Sequence, residues 1–543
     1  IRFFFSMDII HDIIRLNGVV DGIVNASGLE ESALRLLLGV VLGYVFGGIQ
    51  RALLAGKQGA LANHLFAIFA GVWLSYFCYE WELLHFVVCI GISWLSLQVT
   101  AFNHKISNLV CFFFNLGYLL VCYHFYSDPE SYDINFTTAH CVLTLRLIGF
   151  GFDVNDGRAL HAHRKRVADA AYENAQDAAK VEKKLNAFCA QSLPRQPGLL
   201  QTFGFCFFYA GFLIGPQFSY KEYERFVQGT LHTTGEKNQN DKEKVLSYDK
   251  APSPVWPACK SFLIGIGYLA GHEIIQAVTS LDAHVTDPEW MNQQSFVMQW
   301  LSVIVWGKLV LSKYLGIWKL GEGSGILCGF GAIYHPSEGD RPAFWSYDRL
   351  ANVNLLQYES AYNLREVISS FNINTNQWVR YFIHMRVMPY FGYQYANLSV
   401  LLFLAIWHGY NPGYFLAFIK EFIDLDSEKK LRSWLEPLKT KIYGEKVPVL
   451  DRNGNPKKSS RGVVKDFNVY SGGLLGNAYA LAGYWLRSAS MAYGIIPFQI
   501  KTWSGSIAIW KSMYFSGHIF SILVLILHFG VYVPFLSKRE KKV

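Results

Sequence analysis

One histidine and three asparagines carry the chemistry that this sequence suggests. His408 stands in the run Ser399 to Phe418, S-V-L-L-F-L-A-I-W-H-G-Y-N-P-G-Y-F-L-A-F, which is otherwise almost wholly apolar. In a helix rising ~1.5 Å per residue the ring would lie about 13 Å along the axis, near the middle of a ~30 Å hydrocarbon layer. Ionisable side chains are rare at that depth and default to function; the plainer alternative is a core histidine hydrogen-bonded to a neighbouring helix. Imidazole moves protons near neutral pH, so a neutral His408 is suited to act as a general base. Upstream lies Phe371-Asn372-Ile373-Asn374-Thr375-Asn376-Gln377-Trp378, with Asn372 placed 36 residues before the histidine. An amide there would hold an acceptor hydroxyl, or donate N–H to an oxyanion, while His408 takes the hydroxyl proton during attack on an activated acyl carbon. The sequence has no G-x-S-x-G elbow and no catalytic cysteine in a recognisable setting, which favours direct transfer over a covalent acyl-enzyme. Asn372 and Asn376 would share a helix face and Asn374 would not, but spacing alone does not choose among the three.

These residues need elements to bring them together. A continuous helix from Asn372 to His408 would measure about 54 Å, longer than the layer it crosses, so the chain must break. Met388-Pro389 is the expected place, because a residue before proline disfavours the helical region. The 543 residues are 52% hydrophobic, 16% aromatic and only 17% charged, with mean hydropathy +0.18. The expected fold is an all-α polytopic transmembrane bundle around a central chamber. Long apolar windows, among them Leu199–Phe218, Phe296–Trp318, Leu398–Phe418 and Leu474–Ile495, suggest roughly ten or eleven passes plus re-entrant or interfacial helices. One membrane-embedded domain is expected over 1–543, with charged loops near 157–197, 221–257 and 427–470.

The opening Ile1–Ile13 carries Arg2, Asp8, His11 and Asp12, lacks the form of a secretory signal, and is not expected to be removed. Nine cysteines without a C-x-x-C pair read as packing residues, not as a zinc or disulfide frame. The net charge of +8 sits in loops beside apolar runs, which suits anionic lipid headgroups or an anionic cytosolic substrate better than nucleic acid. By the positive-inside tendency those loops face the cytoplasm. The tail Lys538 to Val543 has the look of a dilysine-type endoplasmic reticulum retrieval signal, and Val447–Arg461 reads as a loop-like insertion.

Several motifs together resemble the membrane-bound O-acyltransferase family over most of the chain. They are Leu143-Thr-Leu-Arg-Leu-Ile-Gly149 with Asp153 to Gly157, Gly215-Pro-Gln-Phe-Ser219, Trp306-Gly-Lys308, Phe371-Asn-Ile-Asn-Thr-Asn376 and Trp407-His-Gly409. The Phe-Asn-Ile-Asn-Thr-Asn form is similar to the lysophospholipid-acylating branch. Carried across motif by motif, the resemblance puts the catalytic Asn on Asn372 and the catalytic His on His408. It implies transfer of a polyunsaturated acyl group from acyl-CoA, a co-substrate with no other cofactor or metal, to the sn-2 hydroxyl of a choline, ethanolamine or serine lysophospholipid. A multi-pass location in the endoplasmic reticulum membrane and a homodimer are further implications. Lysophosphatidylinositol is the alternative acceptor, and a lipid transporter or scramblase the alternative class, although no inverted repeat is visible.

Substrate contacts are expected from Asn376, Trp378, Tyr381, Lys308 and Tyr410. Each has a structural alternative: snorkelling for Lys308, packing for the aromatics. Arg146, Asp153, Glu322, Arg380 and Arg386 read more readily as charges that pair to hold broken helices. Gly321-Glu-Gly323-Ser-Gly325 lacks the context of a phosphate loop and reads as close helix packing.

Overall fold

The long apolar runs fold as helices, since only intrasegment hydrogen bonds satisfy a backbone surrounded by hydrocarbon. The computed structural model describes residues 11–54, 59–127, 134–168, 191–237, 243–246, 251–337, 342–443 and 473–533. The basic tail 538–543, the insertion at 447–461 and the charged stretch 169–190 lie outside the described residues. Among the described residues, strands are confined to two antiparallel ribbons, Thr233–Lys237 with Glu243–Val245 and Ile333–His335 with Phe344–Ser346. The protein is an all-α polytopic membrane protein.

Five described helical stretches are long and apolar enough to cross a bilayer: Glu31–Leu53, Ala60–Val99, His104–Tyr126, Val255–Thr279 and Phe296–Leu327. Trp503–Ser512 and Ser516–Tyr532, bent by 78°, make a sixth if taken as one span. These candidates are fewer than the ten or eleven expected passes but do not count them: Ala60–Val99 takes in two of the apolar windows, and Phe136–Ala168 and Gly473–Ile500 are further long helices. Leu199–Phe218 splits into the short helices Leu199–Cys206 and Tyr209–Phe212, and Leu398–Phe418 is divided after His408. The outward faces are oily, as a lipid-facing surface requires: Phe113, Ile274 and Val278 are all well exposed.

Packing relies on small residues where helices touch. Helices Val255–Thr279 and Phe296–Leu327 meet at Gly265 and Gly316, where a Cβ on either would lie within 3.0 Å of the other's carbonyl oxygen. The Gly321–Gly325 segment packs in the same way, Gly323 against the Tyr44 ring and Gly325 against Leu350. With no hydrophobic drive between helices in lipid, such close contact supplies the dispersion that holds them.

The buried cations brace irregular backbone. Arg146 donates to the carbonyls of Cys206 and Gly211 at 3.1 and 2.6 Å, lies within reach of those of Phe205 and Pro216, and sits over the Phe218 ring. It thereby satisfies the acceptors left over where the 199–219 segment breaks. Arg386 pairs with Asp156 through two hydrogen bonds of 2.6 and 3.1 Å, and Glu322 pairs with Lys319. The stretches expected as charged loops are helical in part: Tyr220–Val227 opens on a Ser219/Glu222 capping box before the chain turns into the first ribbon, and Pro412–Trp434 runs on with Lys430–Asp426 and Arg432–Glu428 pairs one turn apart.

Candidate active site

Asn372 sits at a corner, in the left-handed conformation (φ 49°, ψ 45°), as the first residue before helix Ile373–Val379. Asparagine tolerates that region better than other side-chain-bearing residues. A strap formed by residues 351–354 holds the corner. Val353 bridges Phe371, the Ile373 N–H donates to the Asn352 carbonyl at 2.9 Å, and the Asn354 N–H donates to that of Ser370 at 2.8 Å. The Asn352 side chain then fixes two asparagines at once: its Oδ1 accepts from the Asn374 N–H, and its Nδ2 donates to Asn372 Oδ1 at 3.2 Å.

That network separates the three amides. Asn374 donates its Nδ2 to the Ala351 carbonyl, and Asn376 donates its own to the carbonyls of Ile368 and Phe371. Asn372 has its oxygen engaged, and its Nδ2 makes no hydrogen bond to any described residue. The orientation follows from Asn352, whose donor must face the Asn372 oxygen.

The histidine reaches the same place by a different route. The chain does break between the two residues, but at Gly392 (φ 81°, ψ 174°) rather than at Met388-Pro389, and helix Met385–His408 carries Pro389 inside it. The reversal falls where no Cβ opposes a positive φ. His408 is the last residue of that helix, not the middle of one. Gly409 takes φ 122°, and the next helix, Pro412–Trp434, starts with proline at its first position.

This corner is clamped on two sides. The Trp407 indole donates to the Cys141 carbonyl at 2.9 Å, while its own carbonyl accepts from the Tyr123 hydroxyl. Gly413 donates to the Lys501 carbonyl at 2.7 Å, and a Cβ there would lie 2.1 Å from the Pro497 oxygen. The His408 ring is held among Trp407, Tyr414, Phe418 and Phe498, with centroids 4.6 to 5.8 Å away. Neither of its nitrogens hydrogen-bonds to a described residue.

His408 and Asn372 line one cavity of about 260 Å³, together with Thr375, Asn376, Tyr314, Trp318, Phe418 and Phe498. The wall is mainly apolar, with a few convergent polar groups, as in sites that hold an aliphatic ligand and orient one reacting bond. A base with uncommitted nitrogens and an amide donor with an uncommitted N–H can together move one proton and stabilise one oxyanion.

The other expected contacts lie off this lining. Trp378 is buried, stacks on Phe403 and donates to the Leu145 carbonyl at 2.9 Å. Tyr381 packs beside the same cluster. Tyr410 is exposed and approaches His124. Lys308 pairs with Glu359 and sits over the Tyr358 ring.

Sequence reasoning passed over Asn352, the strap it belongs to, and the polar face of helix Pro412–Trp434. On that face Asp424 accepts from Lys420, Ser490 and Ser521, at the border with a second cavity of about 230 Å³. Lys420 and Asp424, four apart and one helical turn away from each other, were a signal that spacing offered.

Comparison with known proteins adds an independent finding. The model of the MBOAT family, membrane-bound O-acyltransferase, matches residues 121–451, a span that contains both Asn372 and His408. Lysophospholipid acyltransferase 5 of Homo sapiens is 30% identical over 518 residues, covering 95% of this chain and 92% of the relative. The Drosophila melanogaster protein of that name is 28% identical, covering 92% and 90%. Membrane-bound glycerophospholipid O-acyltransferase 2 of Homo sapiens is 22% identical, covering 87% and 80%.

Proposed function

Because this chain belongs to the membrane-bound O-acyltransferase family, we propose that it is a lysophospholipid acyltransferase acting through His408 and Asn372. The acyl donor in this reading is acyl-CoA with a polyunsaturated chain, and the acceptor is the sn-2 hydroxyl of lysophosphatidylcholine, with the ethanolamine and serine forms also used. The name lysophospholipid acyltransferase 5, carried by the human and Drosophila melanogaster relatives, supports a lysophospholipid acceptor. The same reading includes residence in the endoplasmic reticulum membrane. One observation carries the assignment: His408 and Asn372, 36 residues apart and on different elements, face one apolar cavity with uncommitted polar atoms.

The chemistry follows from those atoms. A neutral His408 nitrogen takes the proton of the acceptor hydroxyl as its oxygen attacks the thioester carbonyl. The carbonyl oxygen becomes an oxyanion, and Asn372 Nδ2–H donates to it in a water-poor site, where such a bond is worth a few kcal/mol. Collapse breaks the carbon–sulfur bond. The thiolate leaves and takes the proton from the imidazolium, which restores neutral His408 and releases free CoA. The thioester is itself the activated donor, so the protein supplies position, a base and one oriented dipole.

The test uses purified protein in detergent with arachidonoyl-CoA and lysophosphatidylcholine, measuring phospholipid and free CoA. Stoichiometric product, from which phospholipase A2 releases arachidonate, is the expected result. Transfer only to lysophosphatidylinositol would move the acceptor, and transfer to no lysophospholipid would overturn the reading.

A further inference from the structure

Glu421 is a carboxyl group on the reaction cavity that neither the fold nor the acyl transfer uses. Helix Pro412–Trp434 turns Phe418, Glu421, Asp424 and Leu425 toward the cavity, the three-to-four spacing of one helical face. Asp424 is compensated by Lys420 and by the hydroxyls of Ser490 and Ser521. Glu421 forms no ion pair or hydrogen bond with any described residue. A carboxylate held against an apolar wall without a partner is costly, and a ligand cation removes that cost.

The position suits one part of one substrate. Phe418 stacks on the His408 ring, and Glu421 follows it by three residues, about 4.5 Å along the helix axis. Around the same cavity stand Tyr314, Trp318 and Phe371, with Trp318 5.0 Å from Phe371 and 5.9 Å from Tyr314. Aromatic faces beside a carboxylate are the surroundings that a substituted ammonium prefers. In a lysophospholipid the headgroup nitrogen is joined to the reacting hydroxyl oxygen by a flexible chain of about eight bonds, so both ends can address one cavity together.

We propose that Glu421 reads the cationic nitrogen of the acceptor headgroup, selecting ammonium-bearing lysophospholipids over those whose headgroup carries only the phosphate charge. The inference rests on the lysophospholipid reading above. The same carboxylate that attracts the ammonium repels a headgroup without one, so selection works in both directions.

The experiment compares wild type, Glu421→Gln and Glu421→Asp, each checked for monodispersity and melting temperature. Lysophosphatidylcholine and lysophosphatidylglycerol serve as acceptors. Glu421→Gln is expected to raise KM for lysophosphatidylcholine about ten- to a hundredfold. KM for acyl-CoA should hold, and use of lysophosphatidylglycerol should be unchanged or gained. Glu421→Asp should recover part of the loss, and it carries the test alone if the glutamine variant does not fold: it should then show a raised KM for the choline acceptor only. Equal losses on both acceptors, a loss in kcat alone, or no loss would each overturn the inference while leaving the lysophospholipid reading in place. A folded wild type that acylates no lysophospholipid overturns both.

Discussion

At the scale of single residues, the account separates groups that do chemistry from groups that hold them. Asn372 needs a left-handed backbone and an uncommitted amide, and two substitutions tell these apart. Glycine accepts that backbone freely, so Asn372→Gly should melt near wild type yet turn over about a hundredfold more slowly, as measured by thermal unfolding and steady-state rates. Asn376 uses its amide on two backbone carbonyls, so Asn376→Ala should lower the melting temperature along with activity. His408 was legible in the sequence as an ionisable residue in an apolar run. Its place at a helix end was not, because an apolar run does not reveal where a glycine will turn it. The partition among Asn372, Asn374 and Asn376 depends on Asn352, twenty residues upstream of the first, and no local pattern joins them.

At the scale of elements, the site is two corners braced from outside. Gly413 lets the His408 corner press against the carbonyl of Pro497. Gly413→Val places atoms where that oxygen lies, so it should cut kcat at least tenfold with little change in acceptor KM, provided the variant still elutes as a single species. Arg146 gathers carbonyls from the broken 199–219 segment. Arg146→Ala leaves those acceptors and a buried gap, a cost of about 3 kcal/mol or more, and should lower the melting temperature in detergent. Arg146→Lys should not restore it, since an ammonium cannot fork across several carbonyls. Periodicity and proline spacing indicated the elements broadly: the helical class and a break between Asn372 and His408 could both be read. The break fell at Gly392, where a positive φ selects the residue without a Cβ, while Pro389 follows the π-helical turn Arg380–His384 inside a continuing helix.

At the scale of the whole molecule, helices from widely separated parts of the chain close around one cavity in a bundle whose outer face is apolar. Gly494 lies on that cavity and has open space where a Cβ would stand. Gly494→Leu should therefore fold with a melting temperature close to wild type while lowering kcat/KM for long acyl-CoA more than for short, which a chain-length series would measure. Composition alone placed the protein in a membrane; it could not count the crossings, because an apolar window folds as one span, two short helices or a corner according to what packs against it. The most direct test of the central claim is acyl transfer from arachidonoyl-CoA to lysophosphatidylcholine by wild type, His408→Ala and Asn372→Ala, purified side by side at matched melting temperature. The account predicts product from wild type, a loss of about a thousandfold or more without the histidine, and a loss of about a hundredfold without the asparagine. Equal turnover by all three proteins would contradict it.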